Sequence, residues 1–179
     1  MAKKQLKKKK VVKLTALEEK RVAIAKDAIL QLKSEAYDAR SSHGYVSLDY
    51  DSEQQLEAAA QSCELFTGKN SDDMELNKLL DRLITPDKPC TVCAKGALLI
   101  SSIRKYNSFS LQKAIDDNLD SVASDEVRDL FGDENADRIE EYFEGYDGDE
   151  KYLDEYPNDS ERLIAILQNV VKNKGQFIP

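Results

Sequence analysis

Apolar residues recur at helical spacing along most of this chain. Thr15 and Glu18 have the spacing of a capping box, in which each side chain accepts a hydrogen bond from the other residue's amide. The positions that follow place four apolar side chains on one helical face: Val22, Ala25, Ile29 and Leu32. The pattern predicts a first helix that begins at Thr15 and continues to about Tyr37.

The least polar stretch extends from about residue 90 to residue 106. One stripe of it contains Val92, Gly96, Leu99 and Ile103, and the neighbouring positions are also apolar. A helix that is apolar over so much of its circumference is buried on all sides, so we expect it to be central. Amphipathic patterns predict further helices at about 52–66, 72–83, 111–119, 124–131, 135–144 and 160–174.

A short alternation of polar and apolar residues from Tyr45 to Tyr50 predicts one strand. The chain has 179 residues with four prolines and seven glycines, which is too few turn residues for many short strands. We therefore expect a mostly α protein, a single-domain bundle of about six to eight helices around the central helix at 90–106. Residues 1–13 are expected to form a flexible basic arm, and residues 14–179 the helical domain.

The net charge of −8 hides a strong asymmetry along the chain. Residues 1–26 carry ten basic side chains against two acidic ones. Residues 116–161 carry nineteen acidic side chains against three basic ones, a net charge of −16. The sequence thus combines a basic beginning with one strongly acidic segment.

An acidic helical surface in residues 116–161 is the leading candidate for a binding site. Carboxylates spaced along helices attract basic protein surfaces and can imitate the phosphates of a nucleic acid. A plainly solvated helix face is the alternative interpretation. The candidate partner-binding residues are Asp125, Glu126, Asp129, Asp133, Glu134, Asp137, Glu140, Glu141 and Glu144.

The lysine-rich arm is a second candidate, because each lysine can neutralise one phosphate of a nucleic acid. A solubilising tail would have the same composition. The candidate residues are Lys3, Lys4, Lys7, Lys8, Lys9, Lys10 and Lys13.

Cys90 and Cys93 are a third candidate, since two thiols three residues apart at a helix start would lie on one side, near the positive end of the helix dipole. A lowered thiol pKa there would suit redox or zinc chemistry. A zinc site would also need Cys63 and the single histidine, His43. The simpler interpretation is that both cysteines pack as small apolar residues, so we predict no catalytic residue and no metal or other cofactor.

The motifs of several enzyme classes are missing from the sequence. It contains no glycine-rich phosphate loop, no His-Glu-x-x-His motif and no nucleophile elbow. The charged start is not followed by the apolar stretch of a signal peptide, and no apolar run is long enough to span a bilayer. Because three cysteines do not make a disulfide framework, we expect a cytoplasmic protein without membrane contact, acting without catalysis.

The segment from Cys90 to Ser101 resembles small uncharacterised proteins of tailed bacteriophages and some bacteria, which carry a Cys-x-Val-Cys-Ala-x-Gly-Ala core. Residues 21–27 and 44–46 are similar to the opening of those proteins, and residues 162–173 and 175–179 to their end. The resemblance implies a phage accessory role in a bacterial cytoplasm or virion, and no activity or catalytic residue to carry over. The shared ends also suggest that residues 44–48 pair with residues 176–178 as two short strands.

The sequence therefore favours a phage-type accessory protein that binds a host or virion protein through its acidic helices. The alternatives are a nucleic-acid-associated protein that uses the lysine arm, and a zinc- or thiol-dependent protein centred on Cys90 and Cys93.

Overall fold

The computed structural model describes residues 13–41, 46–47, 80–81, 83–106, 119–146 and 150–179. The helix predicted at 52–66 and nearly all of those predicted at 72–83 and 111–119 lie outside these residues. Within them the chain forms six helices and three strands: α1 (Ala16–Lys33), β1 (Tyr37–Ala39), β2 (Val46–Ser47), β3 (Cys90–Val92), α2 (Ala94–Tyr106), α3 (Leu119–Phe131), α4 (Asp133–Glu144), α5 (Glu150–Glu155) and α6 (Asp159–Lys172). The expectation of a mostly α fold is confirmed.

The first helix begins with the predicted capping box. The amide of Thr15 donates to the Glu18 carboxylate over 2.7 Å, and the amide of Glu18 donates to the Thr15 hydroxyl over 3.2 Å. The helix ends at Lys33 rather than near Tyr37, because Glu35 adopts a left-handed φ of 62° that interrupts the helical hydrogen bonds. Tyr37 instead begins β1, a strand that the sequence did not predict.

The three strands form one small sheet in the order β1-β3-β2. β1 pairs with β3 in parallel, with Tyr37 opposite Cys90. β2 pairs with β3 in the antiparallel sense, with Val46 opposite Val92. The short sheet thus joins the region after α1 to the beginning of α2.

The structure corrects two details of the predicted fold. Residues 46–47 pair with β3 and not with residues 176–178, which form no strand. The central helix begins at Ala94 and not at residue 90. Thr91 and Val92 are β-branched and have a paired strand on each side, so residues 90–92 are more stable as a strand than as a first helical turn.

α2 occupies the centre of the core, as predicted. Every residue from Ala94 to Ile103 is buried, including Lys95. α1, α3 and α4 all pack against this helix, and its apolar residues belong to one hydrophobic cluster with those of α1 and α6. Burial around the whole circumference explains why the sequence of α2 lacks a polar face.

The acidic helices α3 and α4 follow each other directly. Gly132 separates them with a φ of 86°, a conformation that glycine adopts without steric cost, and its amide donates to the Arg128 carbonyl over 2.7 Å. α4 ends at Gly145, the predicted stop, where φ is 78° and the amide donates to the Glu141 carbonyl. The two helices therefore present their acidic residues on either side of one bend.

Candidate acidic interface

An open groove lies where α3 meets α4, and four carboxylates line it. Asp125 and Asp129 are one turn apart on α3, and Asp133 and Asp137 are one turn apart on α4, with Arg128 completing the lining. The sequence assigned these carboxylates to one candidate surface, and the bend at the end of α3 brings them to one groove. We call the groove the acidic groove, and Asp125, Asp129 and Asp133 the outer carboxylates.

The outer carboxylates are exposed to solvent. Over the described ranges of the chain, no ion pair involves any of the three. Like charges on adjacent helical turns repel each other. The acidic groove therefore favours the approach of a basic side chain from outside.

Asp137, which also lines the acidic groove, and Glu140 contact Lys95 of α2. Lys95 is 1% exposed, and its Nζ lies 2.9 Å from Asp137 Oδ1 and 2.6 Å from Glu140 Oε2. We call Asp137 and Glu140 the inner carboxylates. Because a buried ammonium without a partner costs several kcal/mol of lost hydration, the inner carboxylates stabilise the packing of α4 on α2.

The pKa values of Lys95 and Asp137 are both shifted in the direction that these ion pairs favour. Burial alone lowers the pKa of Lys95, but its hydrogen bonds to Glu140 and Asp137 outweigh burial and raise that pKa above its ordinary value. Burial alone raises the pKa of Asp137, but hydrogen bonds from Lys95 and Arg128 outweigh it and lower that pKa. Arg128 donates to Asp137 Oδ1 through Nε at 3.1 Å and Nη2 at 3.0 Å. The shifts of both pKa values favour the charged forms of Lys95 and Asp137.

The remaining candidate carboxylates are distributed around α3 and α4, away from the lining of the acidic groove. Glu134 is exposed and forms an ion pair of 3.0 Å with Arg138 one turn further on. Glu141 is exposed, whereas Glu126 and Glu144 are half-buried. The acidic surface that the sequence predicted as one set thus consists of a groove, an inner ion-paired side and a scattered remainder.

A second buried cation, Arg162 of α6, fixes the far end of α4. Its Nε donates to the Phe143 carbonyl over 2.8 Å, its Nη1 to the Tyr156 carbonyl over 3.0 Å, and its Nη2 to the Asp159 carboxylate. Sequence reasoning missed the roles of Arg162 and Lys95. For Lys95 the available signal was one basic residue within an otherwise apolar helical stretch, which requires a charged or carbonyl partner when it is buried.

Cys90 lies in β3 and Cys93 directly precedes α2, and both thiols are free and buried. Burial raises the pKa of each thiol to about 12. The expectation of a lowered pKa is therefore corrected, because loss of hydration outweighs the helix dipole at these positions. The described residues contain no group of three or more His, Cys, Asp or Glu suited to a metal ion, and Cys63 and His43 lie outside them.

The lysine arm is represented in the described residues by Lys13, which is exposed. The other six candidates lie outside the described residues: Lys3, Lys4, Lys7, Lys8, Lys9 and Lys10. The nucleic-acid interface at the arm therefore stays a prediction.

Comparisons with protein-family models, with curated proteins and with solved structures find no match to this chain. The resemblance to phage proteins accordingly stays a prediction. In the part of the chain that the structure describes, no helix combines the length and the apolar character needed to cross a membrane. The acidic groove is therefore the feature of the described residues that bears most directly on function.

Proposed function

We propose that this protein is a phage-type accessory protein that acts by binding, and that its outer carboxylates engage a basic surface of a host or virion protein. The observation that carries the proposal is the position of Asp125, Asp129 and Asp133, which are exposed, line one groove and form no ion pair with the described residues. The resemblance of residues 90–101 to phage proteins supports the biological setting.

The geometry fits a row of basic side chains on the partner. Asp125 and Asp129 are four residues apart on α3, which corresponds to a rise of about 6 Å along the helix. Two basic side chains of a partner can each contact one of these carboxylates. Alternatively, one arginine can lie between Asp125 and Asp129 and contact both. Such an interface accelerates association and selects for basic partners, and salt weakens it.

The inner carboxylates are not expected to contribute to partner binding, because cations of the same chain already bind them. Asp137 lines the acidic groove, but Lys95 and Arg128 already donate to it. Glu140 is likewise committed to Lys95. A partner that competed for these two carboxylates would leave the Lys95 ammonium buried without compensation, so we expect binding to depend on the outer carboxylates.

The test compares two variants with the same net charge. The groove variant carries Asp125→Asn, Asp129→Asn and Asp133→Asn. The control carries Glu19→Gln, Asp87→Asn and Asp154→Asn, which neutralise three exposed carboxylates on other parts of the surface. Each full-length chain is immobilised and exposed to lysate of a bacterial host, and the captured proteins are identified by mass spectrometry at increasing salt concentration.

We expect the wild-type chain and the control to capture the same basic protein, with capture declining as salt increases, and the groove variant to lose it by about tenfold or more. Equal capture by the groove variant and the control would contradict the proposal. Capture that salt does not weaken would also contradict it, because the proposed contact consists of exposed charges.

A further inference from the structure

The last residues of the chain return across α4 and α6, and asparagine side chains bind them. Asn135 accepts the amide of Phe177 over 2.8 Å and donates to the carbonyl of Gly175 over 3.1 Å. Asn169 binds both backbone groups of Ile178, accepting from the amide over 2.9 Å and donating to the carbonyl over 2.6 Å. We call residues 176–179 the tail. Its bonds to the two asparagines involve backbone atoms alone.

One side chain of the tail enters the protein. Phe177 is 2% exposed, and its ring centroid lies 4.9 Å from that of Tyr142 and 5.9 Å from that of Tyr152, with edge-to-face geometry in both pairs. Phe177 is therefore an aromatic anchor buried between two tyrosine rings. The other tail side chains are exposed: Gln176, Ile178 and Pro179.

The contacts of the tail are those of a bound peptide. Side-chain amides bind the backbone of an extended segment, and one pocket takes an aromatic side chain, as in recurring modes of peptide recognition. Asn173 donates to Asn169 Oδ1 over 2.7 Å and so fixes the orientation of that amide. We call the site formed by Asn135, Tyr142, Tyr152 and Asn169 the tail groove.

The tail leaves α6 through a turn with left-handed backbone, which the amides of Gly175 and Gln176 close by donating to the carbonyls of Val170 and Asn173. Lys174 and Gly175 have φ values of 58° and 89°, which places two consecutive residues in the left-handed region. This region is unfavourable for Lys174, which carries a Cβ atom. Opening the turn relieves this strain at the cost of the hydrogen bonds that close it, and a segment that follows such a hinge can be exchanged between identical chains.

We propose that the tail groove is an interaction site between two copies of this chain, in which the tail of one copy occupies the groove of the other. The structure shows that the tail fits this groove, because Phe177 fills the pocket and the backbone of Ile178 binds Asn169. A second copy of the chain carries the same segment. The chain's own tail competes at an effective concentration of about 1 mM, as expected for a short connection. Exchange therefore increases with protein concentration.

Covalent trapping in full-length chains tests the proposal. All chains carry Cys63→Ser, which leaves the buried Cys90 and Cys93 as the native thiols. One chain carries Ile178→Cys, at a position that is 57% exposed, and the other carries Asn169→Cys. Because the two new cysteines are on different chains, a disulfide between them requires the tail of one copy to reach the groove of the other. The mixture is equilibrated in glutathione buffer, and the linked peptides are quantified by mass spectrometry.

The matched control replaces Asn169→Cys by Leu17→Cys, an exposed position on α1. We expect about tenfold more mixed dimer with Asn169→Cys than with Leu17→Cys, a yield that increases with concentration, and its loss when the Ile178→Cys chain also carries Phe177→Ala. Equal yields at the two positions would overturn the proposal, as would a yield that is independent of Phe177.

A second measurement covers the case in which a substitution disturbs the fold. Light scattering of the wild-type chain is followed up to about 1 mM, the range in which exchange competes with the chain's own tail, beside the Phe177→Leu chain, which keeps an apolar side chain there. We expect the mean mass of the wild-type chain to increase with concentration and that of the Phe177→Leu chain to increase less. Identical mass at all concentrations would overturn the proposal.

Discussion

The inner and outer carboxylates come from one acidic stretch of sequence, yet they have opposite roles. Asp137 and Glu140 contact the buried Lys95 and stabilise the packing of α4 on α2. The outer carboxylates line the acidic groove and are exposed. The difference arises because α2 places the buried Lys95 beside Asp137 and Glu140, whereas no ion pair with the described residues involves the outer carboxylates.

This comparison shows that a concentration of acidic residues does not by itself define an interface. Part of the charge in α3 and α4 compensates cations of the same protein, and only the uncompensated part is available to a partner. The two sets of carboxylates are therefore expected to respond differently when they are neutralised, in stability for the inner set and in binding for the outer set.

Neutralising both inner carboxylates is expected to have the largest effect. With Asp137→Asn and Glu140→Gln, Lys95 stays buried without a charged partner, and the free energy of unfolding falls by about 3–5 kcal/mol. Urea unfolding measures the change, with Asp125→Asn combined with Asp129→Asn as the control for equal loss of charge. Equal stability of the two double variants would show that the inner ion pairs do not stabilise the fold.

Replacing the buried cation instead is expected to cost much less. In Lys95→Met an apolar side chain of similar length fills the same space, Asp137 keeps its hydrogen bonds from Arg128, and Glu140 is 26% exposed and can be hydrated. We expect a loss of about 1 kcal/mol or less in the free energy of unfolding. A loss equal to that of the inner double variant would mean that Lys95 itself, and not the unpaired charge, determines stability.

The pH dependence of stability tests the contribution of the inner carboxylate Asp137 without a substitution. The pKa of Asp137 is lowered in the folded protein, so its contribution is complete above the ordinary pKa of about 3.9 and is lost as pH falls through the lowered folded value. Wild-type stability is therefore expected to fall below about pH 4, by up to about 1.4 kcal/mol per pH unit for each such carboxylate. Chemical unfolding at pH 3 and pH 6 measures the change.

The Asp137→Asn chain separates this contribution from that of other acids. Its stability deficit relative to the wild-type chain is expected to shrink as pH falls, because the wild-type carboxylate becomes neutral as well. Part of the acid sensitivity is expected to persist, since the amide of Ser41 and the guanidinium of Arg162 outweigh burial and lower the pKa of Asp159 too. A deficit that stays constant down to pH 3 would contradict the role assigned to Asp137.

Local sequence patterns correctly predicted the structural features that depend only on residues close together in the chain. The capping box at Thr15, the stop at Gly145 and the buried course of α2 all follow from residues within one or two turns of each other. Local sequence patterns therefore predict that these helices exist and where α1 begins and α4 ends, whereas the end of α1 and the start of α2 were placed wrongly.

Features that depend on distant partners were missed or placed wrongly. Residues 90–92 resemble a helix start, but pairing with β1 and β2 makes them a strand. The resemblance suggested that residues 176–178 pair as a strand, yet the side chains of Asn135 and Asn169 bind the backbone of the tail. In the candidate site, the sequence identified the acidic residues but could not separate the inner from the outer carboxylates, because that separation depends on the position of Lys95 in the fold.

The smallest change in stability is expected for the outer carboxylates. Neutralising Asp125, Asp129 and Asp133 removes repulsion within the acidic groove, which favours folding, but it also removes Asp133 from the first turn of α4, where a negative charge interacts favourably with the helix dipole. These effects oppose each other, so we expect the free energy of unfolding to stay within about 0.5 kcal/mol of wild type. Urea unfolding at low salt measures the net change in the free energy of unfolding, and at high salt both effects are screened, so the difference from wild type shrinks. A loss of more than about 1 kcal/mol, outside the range for exposed substitutions, would show that the outer carboxylates also stabilise the fold.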